Sequence, residues 1–131
     1  MDRSGQEALI RRYIAAYNAF DIDGMAGSLH RDVTFRNISS GVMTHECVGL
    51  AAFTEQAKKA TAIFAARRQT ITASTPLVDG GDPGLRVGIA YRATLATDLP
   101  NGMKAGDTLE VTGESEFRFR DGRIVSIVDR A

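Results

Sequence analysis

The stretch RYIAAYNAFDIDGMAGSLHRDVTFRN, Arg12 to Asn37, decides how the chain is read. With Leu9 and Ile10 just upstream, Tyr13, Ile14, Tyr17 and Phe20 recur at spacings of one, three and four, which gathers them on one face of a 3.6-residue helix. That face must pack against a core, and it contains two tyrosines. A buried hydroxyl without a partner costs roughly 1–3 kcal/mol, so each phenol needs a protein group or a ligand. Asp21-Ile22-Asp23-Gly24 can cap a second, short helix in which Met25 and Leu29 share a face. At Asp32 the period changes to two. Val33, Phe35 and Asn37 alternate with Thr34 and Arg36, a half-buried strand whose inward set ends in an amide.

Working outward, Ser4-Gly5-Gln6-Glu7 fits a capping box that starts the first helix, which then runs to about Phe20. Downstream, Ser39, Ser40 and Gly41 indicate a turn or bulge, with a short strand over Val42 to Glu46. From Val48 to about Ala66 the alanine-rich sequence predicts a third helix, with Leu50, Phe53, Ala57, Ala60 and Phe64 on one stripe. After Arg67 and Arg68 the period is two to the end. Ile71, Ala73, Thr75 and Leu77 form one inward set, and Leu85, Val87, Ile89, Tyr91, Ala93 and Leu95 form the next. Leu109, Val111, Gly113, Ser115, Phe117 and Phe119 then oppose Glu110, Thr112, Glu114, Glu116 and Arg118, and the hairpin signal Asp121-Gly122 leads into Arg123 to Asp129. The order helix, helix, strand, helix, then strands is α+β: a strongly curved antiparallel sheet wrapped around three helices of the N-terminal half. Such a bend leaves a cone-shaped, mostly apolar pocket within a single domain over residues 1–131.

Composition excludes several partners. A chain of 131 residues can bury about two thirds of its unfolded surface without a disulfide or metal. Sixteen basic residues balance sixteen acidic ones, so no basic stripe exists to attract nucleic acid. The single cysteine, Cys47, reads as a small buried hydrophobe. MDRSGQEALI lacks the apolar core of a secretory signal, and no apolar run approaches the ~20 residues of a membrane span. A soluble, cytoplasmic protein with no membrane partner is expected. The two histidines and scattered acids follow no metal-ligand spacing, so neither metal nor cofactor is expected.

RRYIAAYNAFDIDGMAGSLHRDVTFRN, VGLAAFTE and ESEFRFRDGRIVSIV together resemble the nuclear transport factor 2-like superfamily, which includes ketosteroid isomerases and SnoaL-type polyketide cyclases. The resemblance implies the cystatin-like cone fold and carries three positions across. Tyr13 matches the tyrosine that donates to a substrate oxyanion, Asn37 stands where the isomerases keep their proton-shuttling aspartate, and Ser115 replaces their second, protonated-aspartate donor. An oxyanion site without its base is implied, which disfavours steroid isomerisation. His45, beside Glu46, is an alternative base; His30 reads as a surface residue; Glu114 or Glu116 would serve if a bulge exchanged the faces. Otherwise no carboxylate falls on an inward face. Tyr17, Leu29, Phe35, Phe53, Tyr91 and Phe117 are the expected ligand-binding wall, with an apolar small molecule as ligand. The superfamily also implies a homodimer through the outer face of the sheet. Two functions stay open: an isomerase, cyclase or dehydratase acting on an apolar carbonyl compound through Tyr13, or a non-catalytic dimeric binding module.

Overall fold

Helix α1 (Arg3–Asn18) begins two residues earlier than the capping-box reading predicts, because Asp2 is the cap: its carboxylate accepts from the Gly5 amide at 2.8 Å. Asp21 caps α2 (Ile22–Ser28) as expected, accepting from the Gly24 amide at 2.9 Å. The remaining elements are β1 (Leu29–Ser39), β2 (Val42–Val48), α3 (Leu50–Thr61), β3 (Phe64–Pro76), β4 (Gly84–Leu95), β5 (Thr108–Arg120) and β6 (Arg123–Arg130). They come from a computed structural model that describes every residue, Met1–Ala131.

The six strands form one curved sheet in the order β2-β1-β6-β5-β4-β3, with the three helices against its concave side. Four pairings are antiparallel, and the fifth, β1 with β6, is parallel, so the sheet is mixed. The last strand thereby joins the β1–β2 hairpin to the C-terminal meander. Ile10, Met25, Leu29, Val33, Leu85, Val87, Phe117, Ile124 and Ile127 form the buried centre, each no more than 2% exposed.

Three sequence expectations are corrected. Helix α3 ends at Thr61 and not near Ala66, and Phe64 opens β3, where it pairs with Leu95. The Ile63 carbonyl already accepts from the Ala96 amide, so sheet pairing overrides the helix propensity of the alanines. Within β3 the register shifts between Phe64 and Ala66 and again between Ile71 and Ala73. Ala73 and Thr75 consequently lie exposed, and Ser74 takes the inward place. On β5, Val111 is 48% exposed between the half-buried Leu109 and Gly113, so the inward set is broken there.

No bulge turns Glu114 or Glu116 inward, since the β4–β5 register is unbroken. Glu116 instead lies under a cross-strand network on the outer face, accepting from Arg86 at 3.2 Å and Arg130 at 2.9 Å. Burial acts to raise its pKa, but the two arginines outweigh burial and hold it below the ordinary carboxylate value.

Gly84 opens β4 where the chain crosses β5 so closely that a Cβ would lie 2.0 Å from the Phe117 carbonyl oxygen. That atom is backbone and cannot swing away. Gly84→Ala should therefore pry the strands apart at the most buried aromatic of the core, lowering stability by about 1–3 kcal/mol. Thermal unfolding would show this as a fall in Tm of several degrees, and an unchanged Tm would mean that the strands separate freely there.

Candidate active site

The site is a row of side chains crossing four adjacent strands. His45 on β2 is the Cα partner of Asn37 on β1; Asn37 is also the partner of Asp129 on β6, and Asp129 of Ser115 on β5. Cross-strand partners point to the same face, so four polar residues lie side by side across the concave sheet. Two residues along, the neighbouring row is apolar: Cys47, Phe35, Ile127, Phe117 and Leu85. The polar row and this apolar floor are what the period-two segments build when folded together.

Above the row lies a cavity of about 350 Å³, walled by Tyr13, Tyr17 and Met25 from the first two helices, Phe53 from α3, Phe64 and Arg67 from β3, and Phe35 and Phe117 from the sheet. Asn37, His45 and Asp129 of the polar row also line it. A smaller hollow of about 210 Å³ adjoins it, sharing Tyr17, Asn37, Gln69 and Asp129 and adding Tyr91 and Ser115. Of the residues expected to form the ligand wall, Leu29 reaches neither space. It is 2% exposed at the start of β1 and belongs to the hydrophobic core.

Tyr13 projects from α1 with its ring edge-on to Phe117, centroids 5.9 Å apart, and tilted against Phe53. Its ring is buried, yet no protein group hydrogen-bonds its hydroxyl, which opens on the cavity. Burial, reinforced by the charge of Asp129, holds its pKa well above the ordinary phenol value, so at neutral pH it is an O–H donor. Tyr17 differs: its hydroxyl bonds the Tyr91 hydroxyl at 2.9 Å, and both phenols are raised chiefly by burial. Tyr17 and Tyr91 are walls that satisfy each other.

Asp129 overturns the expectation that no carboxylate occupies an inward face. It accepts from the Ser115 hydroxyl at 2.6 Å, and burial pushes its pKa up to about 6 even though that hydrogen bond acts to lower it. Ser115 therefore donates its hydrogen bond to Asp129 and is not a free donor to a ligand. Asn37 donates to the Thr44 hydroxyl at 2.8 Å, which fixes the amide with its oxygen free. His45 lines the cavity from the exposed edge strand, but the carboxylate expected to orient it is engaged elsewhere, since Glu46 accepts from Arg36 at 2.7 Å. His30 lies outside the cavity, its Nδ1 accepting from the Asp32 amide at 3.0 Å.

Two residues of the site were missed from sequence. Asp129 is two positions beyond Ile127, so extending the inward alternation of the last strand by one step would have found it. Arg67 was read as a boundary between helix and strand; it is 5% exposed, and its guanidinium stacks 3.8 Å above the Tyr17 ring centroid. Asn18 latches the end of α1 to β3 beside it, donating to the Gln69 carbonyl and accepting from the Gln69 amide.

Curved sheet, covering helices and a walled polar row define an α+β cone protein with a cavity of small-molecule size. The chain belongs to the SnoaL-like domain family, which matches residues 10–127. No curated protein matches it. Among solved structures, it is similar to a candidate polyketide cyclase from Xanthomonas campestris pv. campestris, at 23% identity and a TM-score of 0.68, over 98% of this chain and 91% of that one. A candidate aromatic ring hydroxylase from Novosphingobium aromaticivorans is similar at 19% identity and a TM-score of 0.78, over 98% and 87%. TerC, co-crystallised with polyporic acid, is similar at 18% identity and a TM-score of 0.69, over 95% and 89%. At these identities the likeness establishes the fold. No helix of the chain is long and apolar enough to cross a membrane.

Proposed function

We propose that this chain is an enzyme of the isomerase, cyclase or dehydratase kind that moves a proton on an apolar carbonyl compound. The single observation that carries the reading is Asp129, a carboxylate with a pKa raised to about 6, facing the same cavity as the unpartnered hydroxyl of Tyr13. A base is most effective when its pKa lies near the working pH, and a phenol held neutral can donate to a developing oxyanion. In this reading Asp129 takes the proton from the carbon next to the carbonyl, and the electron pair moves onto the carbonyl oxygen. Tyr13 stabilises that oxygen by hydrogen bonding. Asp129 then returns the proton to carbon, and Ser115 holds the carboxylate in place throughout. The SnoaL-like family and the polyketide cyclase among its structural neighbours support small-molecule chemistry of this type.

The test uses exchange of the α-hydrogens of a bicyclic ketone, 2-tetralone, in deuterium oxide, followed by proton NMR. The protein should accelerate loss of the α-CH signal above the rate in buffer at the same pH. If the ketone binds and the rate does not change, the proton-transfer reading is wrong and the chain is a binding module.

A further inference from the structure

The chemistry above uses one end of the cavity wall and leaves Arg67 unexplained. Its Nε donates to the carbonyl of Tyr17 at 2.8 Å, closing the C-terminal end of α1, and its plane lies against the rings of Tyr17 and Phe20. That structural task occupies one of three nitrogens. Nη2 is shielded from water and has no acceptor, and Arg67 takes part in none of the protein's salt bridges. A guanidinium cannot shed its charge at any ordinary pH, so a buried one normally has a counter-ion. Here it is 95% covered and lines a cavity whose carboxylate, Asp129, is bonded to Ser115.

We infer that the ligand of this cavity carries a carboxylate, seated on Nη1 of the Arg67 guanidinium, so that the substrate class is an apolar keto acid and not a neutral ketone. The inference rests on the proposed cavity function and specifies its substrate. Nη1 also has no protein partner and, unlike Nη2, keeps surface, so it is the nitrogen a carboxylate oxygen can reach, and the rings of Tyr17 and Phe20 hold the guanidinium in place before any ligand arrives. A carboxylate adds charge–charge attraction to the hydrogen bond, and away from water that attraction is strong; a neutral carbonyl cannot reproduce it. Tyr13, Arg67 and Asp129 line the same cavity, which lets a ligand anchored at the arginine present its carbonyl to the phenol.

The experiment compares binding of 2-naphthoate and 2-acetylnaphthalene, which share a ring system and differ in charge, by titration calorimetry at pH 7.5. The wild type should bind the carboxylate at least about tenfold more tightly. Arg67→Met, which keeps the length and apolar stem, should lose that preference while still binding the ketone, and Arg67→Lys should keep part of it. The wild-type comparison needs no variant and so stands even if Arg67→Met does not fold. Equal wild-type affinity for the two probes overturns the carboxylate and leaves the proton-transfer reading intact. Binding of neither probe overturns both. Undiminished naphthoate affinity in a folded Arg67→Met protein also overturns the assignment.

Discussion

Replacing Asp129 with asparagine is expected to lower the rate of α-hydrogen exchange by about 10²–10⁴-fold while making the protein more stable above pH 6. Both effects come from one feature, a carboxylate held where its charge is poorly solvated. The substitution leaves the geometry in place, since the asparagine Oδ1 can still accept from Ser115, whose hydroxyl lies 2.6 Å from the present oxygen. It removes the group that accepts the proton. For stability the sign follows from the raised pKa, about 6 in the folded chain against an ordinary value of 3.8. Below pH 4 the group is protonated in folded and unfolded chains alike, so it costs nothing. Between about 4 and 6 the unfolded chain releases its proton first, and the folded state loses stability as pH rises. Above 6 the full cost is present, on the order of 3 kcal/mol. Asparagine carries no charge at any pH, so the gain in Tm should appear at pH 8 and vanish at pH 3.5. Loss of both activity and stability at pH 8 would show Asp129 to be a structural residue.

Tyr13→Phe is expected to reduce the same exchange by about 10²–10³-fold, the usual cost of losing one oxyanion donor, with Tm unchanged. The second half of that expectation distinguishes this phenol from its neighbour. The Tyr13 hydroxyl has no protein partner to lose, and its ring contacts with Phe53 and Phe117 survive in phenylalanine. Tyr17→Phe, by contrast, would strand the hydroxyl of Tyr91, now bonded at 2.9 Å. An exchange rate preserved in Tyr13→Phe would remove this residue from the chemistry.

Local signals in the sequence were sufficient where structure is decided locally. The alternation of Leu85, Val87, Ile89, Tyr91, Ala93 and Leu95 holds along the whole of β4, and the Asp21 cap opens α2 where expected. The same kind of periodicity put Phe35, Phe53 and Phe117 on inward faces, and the helical face did so for Tyr13; all four line the cavity. What sequence could not show was decided by contacts between distant segments. The parallel pairing of β1 with β6 joins residues roughly ninety positions apart, such as Asn37 and Asp129, and no local pattern encodes it. The shifts in β3 arise from its pairing with β4, which is why Ser74 replaced Ala73 and Thr75 on the inner face. Asp129 and Arg67 were hidden for another reason. A charged residue at the edge of an apolar pattern is by default solvated, and both instead turn inward because the fold supplies a hydroxyl for one and two aromatic rings for the other. Leu29 erred the opposite way: its helical spacing from Met25 correctly marked it as buried but could not distinguish core from cavity.

The central claim is that Asp129 is a desolvated carboxylate poised to exchange a proton inside the cavity, and carbon-13 NMR of its side-chain carboxyl through a pH titration tests it most directly. The resonance that disappears in Asp129→Asn should titrate with a midpoint near pH 6. A midpoint near 3.8, the ordinary aspartate value, would mean a well-solvated surface carboxylate and would contradict the account.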